Sequence, residues 1–550
     1  MNEDQINFHI QKLGALKQDR ANWDTQWEEA ASLILPAHRN SFQGEGTDNQ
    51  FGGSGQKKTE LQFDATVGIA CQRFASVIES LATPQNNMWH RLVPADKMLK
   101  RNRAVRMFFD DLNELLFNHR YRPVGNFVGN SQQVYLGLGA YGNGSLYVDK
   151  PEDQKGLRYR NIHLGESYFV ENHAGVVDTL YRRFYMTARQ ISQQFRQPGD
   201  TVPDEVTEKV KNPNQAEQKL EVLHCVYPRS DFDPRRVDPK GMRYASVYIY
   251  CQTKTLMRES GYQSFPFPTA RYTQVSGETY GRGPGQWVLP AIKVLNEEKK
   301  TMLKQGHRAV DPVLLSHDDG NLGSFSLKAG ALNPGGVSKE GRALIQPLPT
   351  GRFDIGDKMM EMERTTINDA FLITLFQILI DTPQMTATEV LERAREKGML
   401  IAPTAGRLQA EFLGRLIERE LDLLFQQGLI PPNMPSILRD AEAAEYHIEY
   451  DSPMSRMARA EKAAGFMRAL DVAANYAKNT MDPSPLDFFN FDSAMPEILD
   501  IQGAPAAWTR SLDEVMVIRQ KRDEAAQNQQ MIEAAPAVAG LAKAIPPQGA

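Results

Sequence analysis

Three short tracts in the 550-residue chain hold residue types that could do chemistry. Gly52-Gly-Ser-Gly-Gln-Lys-Lys-Thr59 has the look of a phosphate-binding loop, in which backbone N–H groups cradle an anion and a lysine reaches it. The spacing fails: the pattern needs four residues between the first Gly and a Gly-Lys-Ser/Thr, and no strand precedes it. The tract reads as a flexible loop. Gly281-Arg-Gly-Pro-Gly285 leads into a long helix, so it reads as a turn that lets segments pack closely, with an anion at the helix start as the alternative. His317-Asp-Asp-Gly320 has the residue types of a metal-dependent nuclease fragment, yet a two-metal site needs further carboxylates from other elements. An Asp-Asp-Gly turn between strands demands less. The remaining histidines are scattered, with no HExxH and no His/Cys cluster, and no GxSxG elbow occurs. No catalytic residue, metal site or cofactor follows from these tracts, and the chain reads as a non-enzyme.

The bulk numbers fit that reading. A length prior of roughly 150 residues per domain gives about three or four domains. Hydrophobic residues make up 41% and charged residues 24%, which allows a sizeable core. The 63 basic and 68 acidic residues leave a net charge of -5, so a tight electrostatic clamp on nucleic acid is excluded, although DNA as a partner is not. Cys71, Cys225 and Cys251 are far apart and outside any CxxC pairing, which argues against a disulfide scaffold or zinc ribbon and for a reducing cytoplasm. Met1 to Arg20 is polar and of mixed charge, so no secretory signal is expected. The most apolar run, Phe371 to Ile380, is about half of what a membrane span needs.

The elements that must position any site divide into helical ends around a mixed centre. Asn7 to Lys17 and Trp23 to Leu35 read as amphipathic helices, the second stopped by Pro36. Phe42 to Lys58 reads as a mobile loop. Leu61 to Leu81, Arg103 to Asn118 and Asn126 to Gly137 return to helical periodicity. Ser145 to Val148, Leu157 to Ile162, Tyr168 to Asn172 and Val176 to Met186 read as strands. Thr187-Ala-Arg-Gln190 is a capping box that opens a helix. Pro198 to Gln218 is polar and reads as a loop; Lys219 to Tyr227 and Arg243 to Gln252 are strands. Gln286 to Arg308, with Val288, Ile292, Leu295 and Met302 on one stripe, is a long helix of roughly 35 Å. Asp354 to Ile380 is its partner, lined by Ile355, Met359, Met362, Ile367, Phe371, Leu375 and Ile378. Between them Ala309 to Arg352 is a Gly/Pro-rich insert with strand-like pieces at Val313 to Ser316 and Ala343 to Gln346. The pair predicts a hairpin stalk with a knob at its tip. Asp381-Thr-Pro-Gln-Met385 interrupts the second helix at Pro383, and Thr386-x-x-Glu389 caps the next one, through Lys397. Arg407 to Gln427 is a strong amphipathic helix, Tyr446 to Tyr450 a strand, and Ser455 to Lys478 and Trp508 to Gln530 are helices. The tail from Ala534 to Ala550 is expected to be disordered.

The tract Asp381-Thr-Pro-Gln-Met-Thr-Ala-Thr-Glu-Val390, followed by Leu391-Glu-Arg-Ala-Arg395, resembles the loop-and-helix signature of phage portal proteins. Arg407-Leu-Gln-Ala-Glu-Phe412 with Leu416-Ile-Glu-Arg419, Met186-Thr-Ala-Arg-Gln190, and Tyr450-Asp-Ser-Pro-Met454 are similar to further stretches of the podovirus-type head-to-tail connectors. The resemblance covers nearly the whole chain, most specifically residues 280 to 480. It implies a mixed α/β, mostly helical ring subunit: an α/β wing over 1–285, stem helices over 286–308 and 353–380, a small α/β clip over 309–352, and a channel loop over 381–386. A wing return over 387–452, a crown over 453–533 and a disordered tail over 534–550 complete the plan.

The same resemblance implies a dodecameric ring at one capsid vertex of the virion, assembled in the host cytoplasm. Double-stranded DNA would pass through it during packaging and ejection. It would dock the terminase large subunit and then tail or adaptor proteins, beside the major capsid and scaffolding proteins, with no membrane and no cofactor. The channel loop would be Asp381, Thr382, Pro383, Gln384 and Met385. Lys299, Lys300, Lys304 and Arg308, ordinarily a solvated helix face, would be the channel-facing residues of the stem, and Phe371, Leu375 and Ile378 a helix surface buried between subunits. Each phosphate neutralised by Lys or Arg strengthens nonspecific binding through counterion release, so a strongly basic lining would brake sliding DNA. A near-neutral chain suits a conduit. The rivals are a DNA-processing enzyme subunit of nuclease or helicase type, which would need the His317, Asp318 and Asp319 tract to act, and another kind of structural capsid protein.

Overall fold

The computed structural model describes residues 2–42, 57–151, 154–236, 238–316, 325–349, 353–374, 403–431, 434–438, 446–450 and 453–480, and, near the C-terminus, 484–492, 494–495, 498, 510 and 514–525. It is a mixed α/β structure whose sheets are open.

Helix α1 (Glu3–Ile34) is continuous over 32 residues, where the sequence suggested two helices. The polar joint at 18–22 contains no breaker. Its Arg20 is buried, donating to the carbonyls of Leu164 (3.0 Å) and Ser167 (2.6 Å) and lying over the Tyr168 ring. Polarity there marks a buried contact, not a gap. Helices α2 (Thr66–Ala82), α3 (Lys97–Arg101), α4 (Arg103–Arg120) and α5 (Phe127–Tyr141) follow, with strand β1 (His90–Pro94) between the first two.

The strands then build two sheets. β2 (Asn143–Asp149) pairs antiparallel with β3 (Arg158–Ile162) and with β9 (Thr269–Arg271). β4 (Ser167–Glu171), β5 (Val177–Thr187), β6 (Lys219–Pro228), β7 (Tyr244–Tyr250) and β8 (Thr255–Tyr262) form a five-stranded antiparallel sheet in chain order. Side chains alternate across it. Phe184, Leu220, Val222 and Tyr250 meet helices α6 (Ala188–Gln194) and α7 (Asp204–Lys211), while Tyr181, Leu223, Cys225 and Val247 meet Ile6 and Leu13 of α1. The Thr187 capping box stands as read: Gln190 N donates to the Thr187 hydroxyl (3.2 Å) and Thr187 N to the Gln190 side chain (3.0 Å). The polar stretch after Pro198, read as a loop, contains α7. Only Val206 of that helix is fully buried, too little apolar surface to give a periodic signal.

Two long-range closures finish the body. β1 pairs antiparallel with β12 (Tyr446–Tyr450), from His90↔Tyr450 to Pro94↔Tyr446. The helix over 403–426, comprising a π-helical turn Leu408–Leu413 and α11 (Gly414–Gln426), lies in one continuous core with α1, α2, α4 and α5 through Leu408, Phe412, Leu416, Ile417 and Leu424. Helix α12 (Pro453–Thr480) follows.

From the body a hairpin projects: α8 (Pro284–Trp287), α9 (Leu289–Val310), a ribbon of β10 (Leu314–Ser316) and β11 (Ile345–Pro347), and α10 (Phe353–Ala370). Two helices were expected as unbroken stretches, 286–308 and 354–380. The first begins after a separate turn of helix at Pro284. The second is interrupted after Ala370, where the chain turns at Phe371 and Leu372 takes a left-handed φ of 61°; Ile373 and Thr374 are helical again, and 375–380 lie outside the described residues.

Candidate functional site

The arm formed by α9 and α10 is rooted on a close crossing of backbone. Gly142 ends α5 with φ +74°, and a Cβ there would lie 2.4 Å from the backbone of Arg282 and Gly283. A Cβ on Gly283 would lie 2.6 Å from Gly142 N and from Leu138 O. Only glycine lets two chain segments approach that closely. The Asn143 side chain then clamps Gly281 from both ends, accepting from its N–H and donating to its carbonyl, each at 2.8 Å. The glycine tract at 281–285 is thus a packing turn, which fixes where the arm leaves the body.

Two polar anchors hold the first turns of the arm. Asn296 accepts from Phe63 N (2.7 Å) and donates to Leu61 O (2.8 Å). Arg364 of α10 pairs with Asp64 at 2.9 Å. Burial pushes the Asp64 carboxyl upward, but hydrogen bonding with Thr66 and the Arg364 guanidinium outweigh it and hold the group below the usual carboxylate range. Between the helices the contact is close: a Cβ on Gly356 would meet Met302 Sδ at 2.6 Å. Burial and then Glu363 of the facing helix push the Glu298 carboxyl above its usual value.

The four candidate cations of the stem do not share a face. At about 100° per residue, Leu295, Glu298 and Met302 mark the side of α9 that meets α10. Lys300, Lys304 and Arg308 recur every fourth residue on the opposite side, while Lys299 lies on the flank. Lys300 is held by Glu297 at 3.1 Å and stands over the Phe63 ring; Lys304 and Arg308 are exposed.

The apolar lining expected along α10 also divides. Met360, Ile367 and Phe371 are buried, whereas Ile355, Met359 and Met362 are exposed. Phe371, expected between subunits, is 1% exposed and packs edge-on against Phe74 of its own chain, with ring centroids 6.0 Å apart. Its burial is satisfied inside the subunit. Leu375, Ile378 and the loop residues Asp381, Thr382, Pro383, Gln384 and Met385 lie outside the described residues. So do His317, Asp318 and Asp319 and the glycines of the 52–59 tract. From that tract Lys58 is described, and it donates to the carbonyls of Ala37 (3.1 Å) and Arg39 (2.9 Å). Among the described residues no group of three or more His, Cys, Asp or Glu is placed to hold a metal, and no helix is long and apolar enough to cross a membrane.

Sequence reasoning missed the buried charges that lock the returning helix into the body. Arg120 and Glu420 are each 0% exposed and form a fork-shaped pair. Tyr159 donates to the same carboxylate at 2.6 Å, and Arg120 lies over Trp89 and 3.2 Å from His90 Nδ1. Burial, then the Arg120 charge, push the His90 imidazole well below its usual range, so it is neutral. Nearby, Arg271 joins Glu411 (2.8 Å) and Glu171. Arg419 donates to Val148 O (3.1 Å) and pairs with Asp422 (3.1 Å). A signal was present: Glu420 falls in the apolar stripe of Leu413, Leu416, Ile417 and Leu424, where a carboxylate needs a buried partner.

A family model described as "Bacteriophage head to tail connecting protein" matches residues 9–509. The "Probable portal protein" of Bordetella phage BPP-1 is 26% identical over 536 residues, covering 94% of this chain and 91% of the relative. The "Portal protein" of Salmonella phage epsilon15 is 26% identical over 550 residues, covering 98% and 94%. Similar solved structures include a chain from the virion of a native gene transfer agent particle (11% identity, 73% of this chain and 84% of that one, TM-score 0.34). Another comes from the neck of an empty gene transfer agent particle (12% identity, 74% and 88%, TM-score 0.35).

Proposed function

We infer how this molecule works from the premise that the chain belongs to the bacteriophage head-to-tail connecting protein family. It is a portal subunit, a structural part of the junction between capsid and tail, and neither rival reading is favoured. In the arrangement proposed, copies close into a dodecameric ring at the capsid vertex, assembled in the host cytoplasm, with an axial channel for double-stranded DNA. The α9–α10 arm serves as the stem and the 309–352 insert as the clip. Residues 1–285 and 387–452 form the wing, 453–533 the crown and 381–386 the channel loop. The terminase large subunit docks during packaging and tail or adaptor proteins replace it, while the wing meets capsid and scaffolding proteins.

The observation that carries this reading is a family match running from residue 9 to residue 509, body and arm together. Physical chemistry supports it. A net charge of -5 suits a channel through which DNA slides without being gripped. Lys300, Lys304 and Arg308, on the side of α9 turned from α10, are placed for loose contact with phosphates if α9 lines the axis. ATP chemistry then belongs to the docked motor.

Electron microscopy of the purified full chain is the test, with closed rings and an axial hole as the expected image. A protein that remained a lone subunit under head-assembly conditions would end the reading. Deleting Thr382 to Gln384 should leave the rings intact and impair DNA packaging or retention; normal packaging and retention would remove the role given to that loop.

A further inference from the structure

Both helices of the arm expose apolar side chains that the subunit itself does not cover. On α10 these are Ile355, Met359 and Met362, spaced i, i+4, i+7; on α9 they are Leu303 and Val310, seven residues apart. All five are between 46 and 89% exposed. Gly306, between the α9 pair, would have nothing within 4 Å of an added Cβ, so that face is open as well as apolar. Contiguous apolar stripes of this kind mark sites of association.

Their placement says what covers them. On α9 the stripe is about 90° round from the side that meets α10, and on α10 it is about 100° round from the side that meets α9. The helices run antiparallel, with Met302 beside Gly356 and Glu298 facing Glu363 nearer the body. Carrying both rotations through that reversal puts the two stripes on opposite flanks of the arm. A closed ring is built from heterologous contacts, in which one face of a subunit meets a different face of the next. Opposite flanks bearing two different stripes meet that requirement.

We propose that neighbouring subunits pack arm to arm, with the Ile355/Met359/Met362 stripe of one copy seated on the Leu303/Val310 stripe of the next. The proposal rests on the ring reading above and names the surface that closes the ring. It also assigns the cations. Lys299 borders the contact, whereas Lys300, Lys304 and Arg308 point along the ring radius.

The test is cross-linking of assembled full-length protein that carries Leu303→Cys together with Met359→Cys. Oxidation should give a ladder of covalent dimers, trimers and larger species, absent from the wild type with its three native cysteines and from each single variant. Rings without a ladder, or a link confined within one chain, would overturn the contact and leave the ring reading standing. No rings from the wild type would overturn that reading itself. A second pair gives an independent readout. Leu303→Glu and Met359→Lys should each cut ring yield by more than about tenfold, since each buries a lone charge, and the two in one chain should restore it. Ring yields unchanged by either single substitution would also overturn the proposal.

Discussion

The body and the arm of this subunit are built on opposite principles. In the body, charge is buried and matched within the chain: Arg120 and Glu420, 300 positions apart, are both sealed from solvent and share Tyr159 and His90 as neighbours. On the arm, apolar side chains are exposed and unmatched, Met362 at 71% and Val310 at 89%. A buried ion pair contributes little net stability but is costly to break, so it fixes one arrangement against alternatives. An exposed apolar stripe does the reverse, leaving part of the molecule's packing for another surface to complete. The body's buried charges close on partners within the chain; the stripes of the arm do not.

The strongest way to break that contrast is Glu420→Ala. It strands the Arg120 guanidinium in the core and should cost about 3 to 5 kcal/mol in denaturant unfolding. Replacing both partners by apolar residues, Arg120→Met with Glu420→Leu, should recover most of the loss. A single variant as stable as the wild type would mean that the body tolerates unmatched charge and that its closure rests on packing alone.

How much of this was legible from the sequence follows the same division. Where period or β-branched and aromatic composition is strong, the element was legible: α4, α5, β5 and β6 lie within a few residues of their expected positions. The Thr187 cap was readable because its chemistry is local. What failed was non-local. β1 is a five-residue segment whose partner, β12, is more than 350 positions away, and nothing in the short run His90–Pro94 announces that pairing. The break after Ala370 depends on Leu372 adopting a left-handed conformation that side-chain pattern does not encode. On α10 the error was one of period: Ile355, Met359 and Met362 form an exposed stripe and Ile367 with Phe371 a buried one, and a single apolar lining merged them.

The junction between the two regions offers a sharper and smaller test. Gly283→Val places a branched side chain where even a Cβ would sit 2.6 Å from Leu138 O and Gly142 N. Overpacking of this kind costs about 1 to 3 kcal/mol. Because the strain falls on the turn that aims the arm, ring assembly should suffer more than subunit stability. If unfolding and assembly moved together, the glycine crossing would be part of the body alone.

The last test is acid sensitivity, and it separates the regions by chemistry. His9 is buried between α1 and the five-stranded sheet, 2.6 Å from Tyr181 Oη, with its ring against Tyr227. Burial, then nearby Lys12, lower its pKa to about 4. His90, His163 and His224, also in the body, are displaced in the same direction, in each case first by burial. A histidine whose folded-state pKa lies below its unfolded value of about 6.5 binds its proton more readily when unfolded. Its contribution is therefore present above that value and is lost as pH falls from about 6.5 towards 4. Each such group gives a slope of at most about 1.4 kcal/mol per pH unit. The denaturation midpoint should accordingly drop between pH 7 and 4.5, and His9→Gln, which keeps a polar atom near Tyr181 but cannot titrate, should make the drop shallower. An equal slope in that variant would place His9 in contact with water, and the body would then be less tightly closed than its buried charges imply.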